Sequence, residues 1–324
     1  MRTVKGYLGA VVAFFALLHF GAGSLLAQMT QLYHVVAVSG AASYVPSGSS
    51  EGPKMIRNNL ELSGQDTVIT GGNAHVVVIA DDGSLFTISA NCRAPLVQCL
   101  ARFAEKPESS AALAKVFWQA VRAIFGGTSR LHMASASVRG LESGGQPDLV
   151  ILAPRNASVA TTRPVLKWKG VPEASSYEVV IYELGDPIWN EEMSEACGEC
   201  QVRVPEGVLR YGQKYFWSVR ANTEDSIFEK TAMFRTLPSD SVASLENEIE
   251  RLNRVLGTQV DDWTAAQLKA LLYSSYGLYN DALETVLAAA KEAEVDPGQR
   301  REFVLGLLAK MGVDRKELRA FESF

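Results

Sequence analysis

The 324-residue chain is short of the side chains on which most enzymes depend. It has four histidines, and the three beyond the N-terminal segment, His34, His75 and His132, form no H-x-x-H or H-E-x-x-H spacing. A zinc site would have to gather them from distant positions. No Walker A sequence occurs and no G-x-G-x-x-G follows a strand pattern, so the usual phosphate cradles are missing. One G-x-S-x-G is present at Gly48–Gly52, but Pro46 precedes it, Pro53 follows it and no helical pattern begins. A nucleophile elbow needs a sharp strand-to-helix turn, so Ser50 is not expected to be a nucleophile. The net charge is −5 with no basic stripe, which argues against nucleic acid. Runs such as "NEE" and "ENEIE" read as solvated faces. No catalytic, metal or cofactor residue is expected, and the chain is read as no enzyme. A hydrolase remains the enzymatic alternative, because the spacing of paired carboxylates is spatial.

Long hydrophobic runs are scarce too. One apolar run, Tyr7–Leu18, follows Arg2 and Lys5 and precedes the small residues Gly21, Ala22, Gly23, Ser24 and Ala27. This is the pattern of an export signal over residues 1–27, with cleavage after Ala27 or after Ser24. The alternative is an uncleaved anchor over residues 7–27, since ~20 apolar residues can span a bilayer. Either way the remaining chain is expected outside the cytoplasm, in the periplasm or outer envelope. No cysteine stands directly after the apolar run, so a lipid anchor is not expected. The remaining length suits two or three domains at the usual ~100–150 residues each.

Residues 28–145 read as β structure first. "LYHVVAVSG" and "HVVVIADDGSLFTIS" are rich in Val and Ile and are interrupted by "SGSSEGP", "TGGN" and "DDG". Asp82-Gly83 between two apolar runs predicts a hairpin, because Gly reaches positive φ at no steric cost. Gly40, "LELSGQDTVITGG" at Leu60–Gly72, "DGS" at Asp82–Ser84 and "SVRG" at Ser137–Gly140 resemble the FecR-type extracytoplasmic domain. The pattern departs from that family at Gln65, which separates Gly64 from Asp66, and at an insert over about 91–132. The insert carries Cys92, Cys99 and an expected helix over about 110–125, with Trp118 and Phe125 as core anchors and a stop at Gly126-Gly127. FecR-type regulators grip a sigma factor through a cytoplasmic region ahead of their span. Only six residues precede the apolar run here, so that role is not expected.

After the linker "ESGGQP", residues 146–238 show period-two alternation, in Tyr177, Val179, Ile181 and again in Tyr215, Trp217, Val219, Ala221. The Trp168 strand and the L-x-x-G-x-x-Y-x-W-x-V-x-A run over Leu209–Ala221 resemble a fibronectin type III or immunoglobulin-like sandwich. The resemblance makes Tyr215 a corner tyrosine, its ring in the core and its hydroxyl on nearby backbone, and makes Trp168 and Trp217 core residues. Trp189 falls in "LGDPIWNEE", read as an irregular loop, and is the candidate contact residue.

Over residues 239–324 the period turns helical. Val242, Leu245, Ile249, Leu252 and Leu256 recur every three or four residues. Ala270, Tyr273, Gly277, Tyr279, Ala282 and Ala289 resemble the small and aromatic positions of a tetratricopeptide hairpin, with Gly277 at its turn and a third helix over about 298–311. A short helical cap is the plainer reading.

The fold class that results is a multidomain α+β chain: a β domain with a helical insert, a β-sandwich, and helical hairpins. Its four cysteines form two local pairs, Cys92 with Cys99 and Cys197 with Cys200, one in each β region. An exported chain favours disulfides, with metal binding and redox chemistry as the other readings of the C-x-x-C. Each module resembled is a recognition scaffold. The expectation is a non-catalytic, exported interaction or adaptor protein without cofactor, with protein partners in the envelope. The alternatives are a peptidoglycan or polysaccharide binder and a membrane-tethered signalling component.

Overall fold

The computed structural model describes residues 31–80, 84–88, 91–103, 119–120, 124, 149–194, 197–256, 260–292, 297–314 and 316–321. The expected export signal, Trp118, Phe125, His132 and the "SVRG" stretch lie outside these residues. The chain divides into two compact units, one of residues 1–118 with 258–264, the other of residues 119–257 with 265–324.

The first unit is built from short strands: β1 (Leu32–Ser39), β2 (Ala42–Val45), β3 (Lys54–Met55), β4 (Glu61–Ser63), β5 (Thr67–Thr70), β6 (His75–Ala80), β7 (Leu85–Ile88) and β8 (Arg93–Pro95). They form two four-stranded antiparallel sheets, ordered β4-β1-β6-β7 and β3-β2-β5-β8. Val35, Val38, Ile56, Leu62, Val68, Val76, Val78 and Ile88 make their shared core. β1 and β6 are apolar without alternation, and both bury residues on both faces. β6 and β7 pair in the expected hairpin, with Ile79 opposite Leu85. At Gly40 (φ +67) a Cβ would lie 2.7 Å from the Asn73 carbonyl oxygen, so no larger residue fits. Asp66 is buried, and its two carboxylate oxygens accept the amides of Ser47 and Ser63, each at 2.8 Å. One helix was not legible in the sequence: α1 (Leu96–Phe103) follows Pro95 directly. Within the expected insert helix, the described residues 119–120 and 124 are helical, and they belong to the second unit.

In the second unit, β9 (Val150–Ala153), β10 (Ala157–Val159), β11 (Val165–Lys169), β12 (Ser176–Glu183), β13 (Asp186–Met193), β14 (Glu199–Arg203), β15 (Lys214–Asn222) and β16 (Ile227–Thr236) form a β-sandwich. A three-stranded sheet, β14-β11-β9, faces a five-stranded one, β10-β16-β15-β12-β13, in which β10 runs parallel to β16. Alternation decides which side chains enter: Tyr177, Val179, Ile181, Tyr215, Trp217 and Phe234 are fully buried, with Leu166 and Trp168 opposite. Trp168 meets Trp217 edge-on at 6.5 Å between ring centroids, a favoured aromatic geometry. The Trp217 indole N–H, which burial would otherwise leave unsatisfied, donates to the Pro154 carbonyl at 2.9 Å.

After the sandwich come α2 (Ser239–Leu256), α3 (Asp262–Ser275, whose first three residues belong to the first unit), α4 (Tyr279–Glu292) and α5 (Pro297–Lys310), then a short 3-10 turn (Leu318–Phe321). Gly277 (φ +75) makes the expected turn between α3 and α4, and α5 matches the expected third helix within one residue at each end. Helices and sandwich interlock through backbone. The Ser158 amide donates to the Gly277 carbonyl at 2.8 Å, and the Asn156 side-chain amide to the Met311 carbonyl at 3.1 Å. The Arg155 guanidinium reaches both Glu317 and the Gly312 carbonyl, at 2.7 Å each.

Candidate interaction surface

Among the described residues, Ser50, His34 and His75 lie apart. Ser50 is exposed in the coil between β2 and β3, with no strand-to-helix turn. His34 pairs with Ile79, whereas His75 pairs with Ser39. Five residues of strand, roughly 17 Å, therefore separate them. His34 lies 3.5 Å from Glu61. His75 lies 3.9 Å from Asp261, whose carboxylate also accepts the Ser39 hydroxyl and both the amide and hydroxyl of Thr264. Burial works against the charge on Asp261, but these donors together with His75 outweigh it and hold the carboxyl below its usual range. Ser, His and Asp thus meet, but wrongly for nucleophilic catalysis, because the serine donates to the carboxylate and not to the imidazole. Asp261 immediately precedes α3 and caps it. The sequence signal for it was D-x-x-T ahead of a helical pattern, which marks a cap and nothing more.

Both expected cysteine pairs are closed: Cys92–Cys99 at 6.1 Å and Cys197–Cys200 at 5.4 Å between Cα atoms. Among the described residues no cysteine is free and no group of three ligating side chains could hold a metal. Two closed disulfides fit an oxidising, extracytoplasmic compartment. The Cys197–Cys200 loop lies on Gly170, whose amide donates to the Gly198 carbonyl at 2.9 Å. A Cβ at Gly170 would fall 1.8 Å from the Cys197 carbonyl oxygen. The loop ends in β14, beside Trp168 of β11. It clasps two strands at the sheet edge and does not open a helix, where a reactive C-x-x-C belongs.

Trp189 is not in a loop, which corrects the sequence reading. "LGDPIWNEE" contains a tight turn at Leu184-Gly185, both at positive φ, and then the edge strand β13. Trp189 stands opposite Ile181 and packs, partly buried, against the sandwich core. Turn formers and acids disguise this strand: it buries little beyond Trp189 and Met193, so it shows no alternation.

The strand register assembles instead a surface that no single motif shows. On the outer face of the five-stranded sheet, cross-strand neighbours fall into rows. The first holds Lys214 and Arg235, directly opposite one another, and neither makes a salt bridge with a described residue. The next is apolar: Pro187, Tyr182, Phe216 and Met233, with Phe216 40% exposed and the Lys214 ammonium 5.1 Å from its ring centre. A neutral row of Asn190, Val180, Ser218 and Thr231 follows. The last holds Glu192, Glu178, Arg220 and Glu229, where Arg220 bridges Glu178 at 2.8 Å and Glu229 at 3.4 Å. Both neighbouring carboxylates push the Arg220 guanidinium further up, Glu229 most. Three acids against one base leave this row net acidic.

No family model and no curated protein matches the chain. Among solved structures it is similar to an engineered protein, at 15% identity over 29% of this chain and 21% of that one, with a TM-score of 0.24. CopC from Methylosinus trichosporium OB3b matches at 21% identity over 28% of this chain and 95% of its own, TM-score 0.23. The fibronectin(III)-like modules of Clostridium thermocellum CbhA match at 10% identity over 62% and 80%, TM-score 0.20. The chain spans about a fifth of the first of these proteins.

Proposed function

We propose that this is a non-catalytic, exported envelope protein that works as a protein-interaction scaffold. One observation carries the reading: the largest sheet turns outward a face with an apolar row between a basic and an acidic row. Rows of opposite sign flanking a partly exposed aromatic row are the anatomy of a recognition surface, since rim charges steer and the apolar centre binds. The closed disulfides favour export.

The finer family readings rest on particular residues. Gly40 and the amide-holding Asp66 support a FecR-like first domain. The three-on-five strand order and the Tyr215 corner support a fibronectin III-like sandwich, and the Gly277 turn supports a tetratricopeptide-like hairpin.

The test is a photo-crosslinking residue at Thr231, on the outer face, compared with one at exposed Glu206 in a loop. Discrete protein adducts from Thr231 alone are the expected result. Retention on purified peptidoglycan without any adduct would move the protein to the polysaccharide-binding class. N-terminal sequencing of mature material is expected to begin at Gln28 or Leu25.

A further inference from the structure

We infer that the outer face of the five-stranded sheet is a self-association surface whose occupant is a second copy of this chain. The inference rests on reading that face as an interaction surface and names its partner. The argument is charge complementarity under two-fold symmetry. From Lys214 to Arg220 is six residues of strand, about 20 Å. The basic row and the net acidic row therefore stand at opposite ends of the patch, with the apolar and neutral rows between them. A two-fold axis lying between two such faces, perpendicular to the strands, reverses strand direction. Each end of one copy then covers the other end of its mate. That operation brings Arg235 over Glu229 of the second copy, because both belong to β16. Lys214 falls over Arg220 of the second copy, which is already bridged by Glu178 and Glu229 on either side, so it meets the net acidic row and not a lone acid. Phe216, Tyr182 and Met233 cover Ser218, Val180 and Thr231, so the apolar row meets the least polar remaining surface.

The same symmetry answers an oddity of the fold. Like charges directly opposite one another on a sheet destabilise it, yet Lys214 and Arg235 are such a pair. In the second copy Glu229 opposes Arg235, and the net acidic row around Arg220 offsets the charge of Lys214. An isologous contact of this kind closes on itself and builds no filament. Its size sets its strength. Four strands at about 4.8 Å by about 20 Å cover roughly 400 Å² per copy, about half the ~800 Å² of a standard interface. The dimer is therefore weak, forming only at high protein concentration, and salt-sensitive, because its outer rows are exposed.

Sedimentation velocity on the full mature chain, from 5 to 500 µM and at 50 and 500 mM salt, tests the inference. A monomer–dimer equilibrium is expected, at least tenfold weaker at high salt. K214E/R235E makes both ends acidic, and E192K/E229K makes both ends basic. Each variant alone is expected to remain monomeric at 500 µM with an unchanged near-ultraviolet circular dichroism spectrum. Mixed one to one, they are expected to recover dimer, because every acidic end then meets a basic one. F216D removes the apolar centre and is expected to abolish association. A wild-type chain monomeric throughout, or variants that dimerise alone as the parent does, overturns the inference. Heterologous adducts at Thr231 from a chain that never dimerises would also overturn it while leaving the scaffold reading intact.

Discussion

Two buried tyrosines show how single hydroxyls close the loops of the sandwich. The Tyr215 phenol accepts the Arg210 amide at 2.9 Å, as its sequence motif led one to expect, while its ring lies 5.5 Å from that of Phe234. Tyr177 does the same at the other end, accepting the Val171 amide at 2.9 Å and donating to the Val171 carbonyl at 3.2 Å. Tyr215→Phe keeps the ring and strands the Arg210 amide, so it is expected to cost about 1–2 kcal/mol in urea denaturation. Gly170→Ala probes the clasp: its methyl must displace the Cys197 carbonyl. The expectation is a loss of roughly 2–4 kcal/mol, the range of overpacking and strain together, with the largest hydrogen-exchange change in residues 197–203. The corner tyrosine was legible because a fixed spacing of Leu, Gly, Tyr and Trp encodes it. Tyr177 and Gly170 were not, since their partners are set by how two strands stack and by where a loop comes to rest.

At the scale of elements, legibility followed burial. Central strands such as β12 and β15 alternate because one face enters the core, and α5 was bounded by Pro297 at its start and Gly312 after its end. The edge strand β13 carries too few buried positions for a period to emerge, and α1, although it buries Leu96, Cys99 and Leu100 at helical spacing, is only eight residues long and follows Pro95 directly. Between α2 and the end of α3, the Tyr276 phenol donates to the Glu248 carboxylate at 3.0 Å. Burial, then the Glu248 hydrogen bond and charge, push the phenol up from 10.0 to about 12. A folded-state value above the unfolded one means the folded chain holds the proton more tightly. The contribution is therefore complete below pH 10 and is lost as pH rises through about 12. Y276F is expected to melt below the parent at pH 8. Thermal scans across pH 8–12 should show that gap closing at the alkaline end.

On the scale of the whole molecule, the second unit joins a sandwich to helices more than 100 residues away in sequence, through groups that no periodicity marks. Arg155 and Asn156 sit in the turn between β9 and β10, and their partners Met311, Gly312 and Glu317 lie at or beyond the end of α5. Arg155 and Glu317 are only 16% and 11% exposed as side chains, so their ion pair is largely out of water. Such a pair adds little over an apolar one, but removing one member leaves the other buried and uncompensated, at a cost of about 3–5 kcal/mol. Asn280 extends the joint, its side-chain oxygen accepting the Arg155 amide at 3.4 Å and its amide donating to the Leu152 carbonyl at 3.3 Å. With this joint intact, sandwich and helices should unfold together. R155A should uncouple them: hydrogen exchange in α4 and α5 is expected to rise first, at denaturant concentrations where β12 and β15 stay protected. R155A/E317A removes the orphaned carboxylate as well, and should recover part of the loss. A joint that survives R155A with uniform protection would mean that backbone bonds such as Ser158 to Gly277 hold the helices unaided.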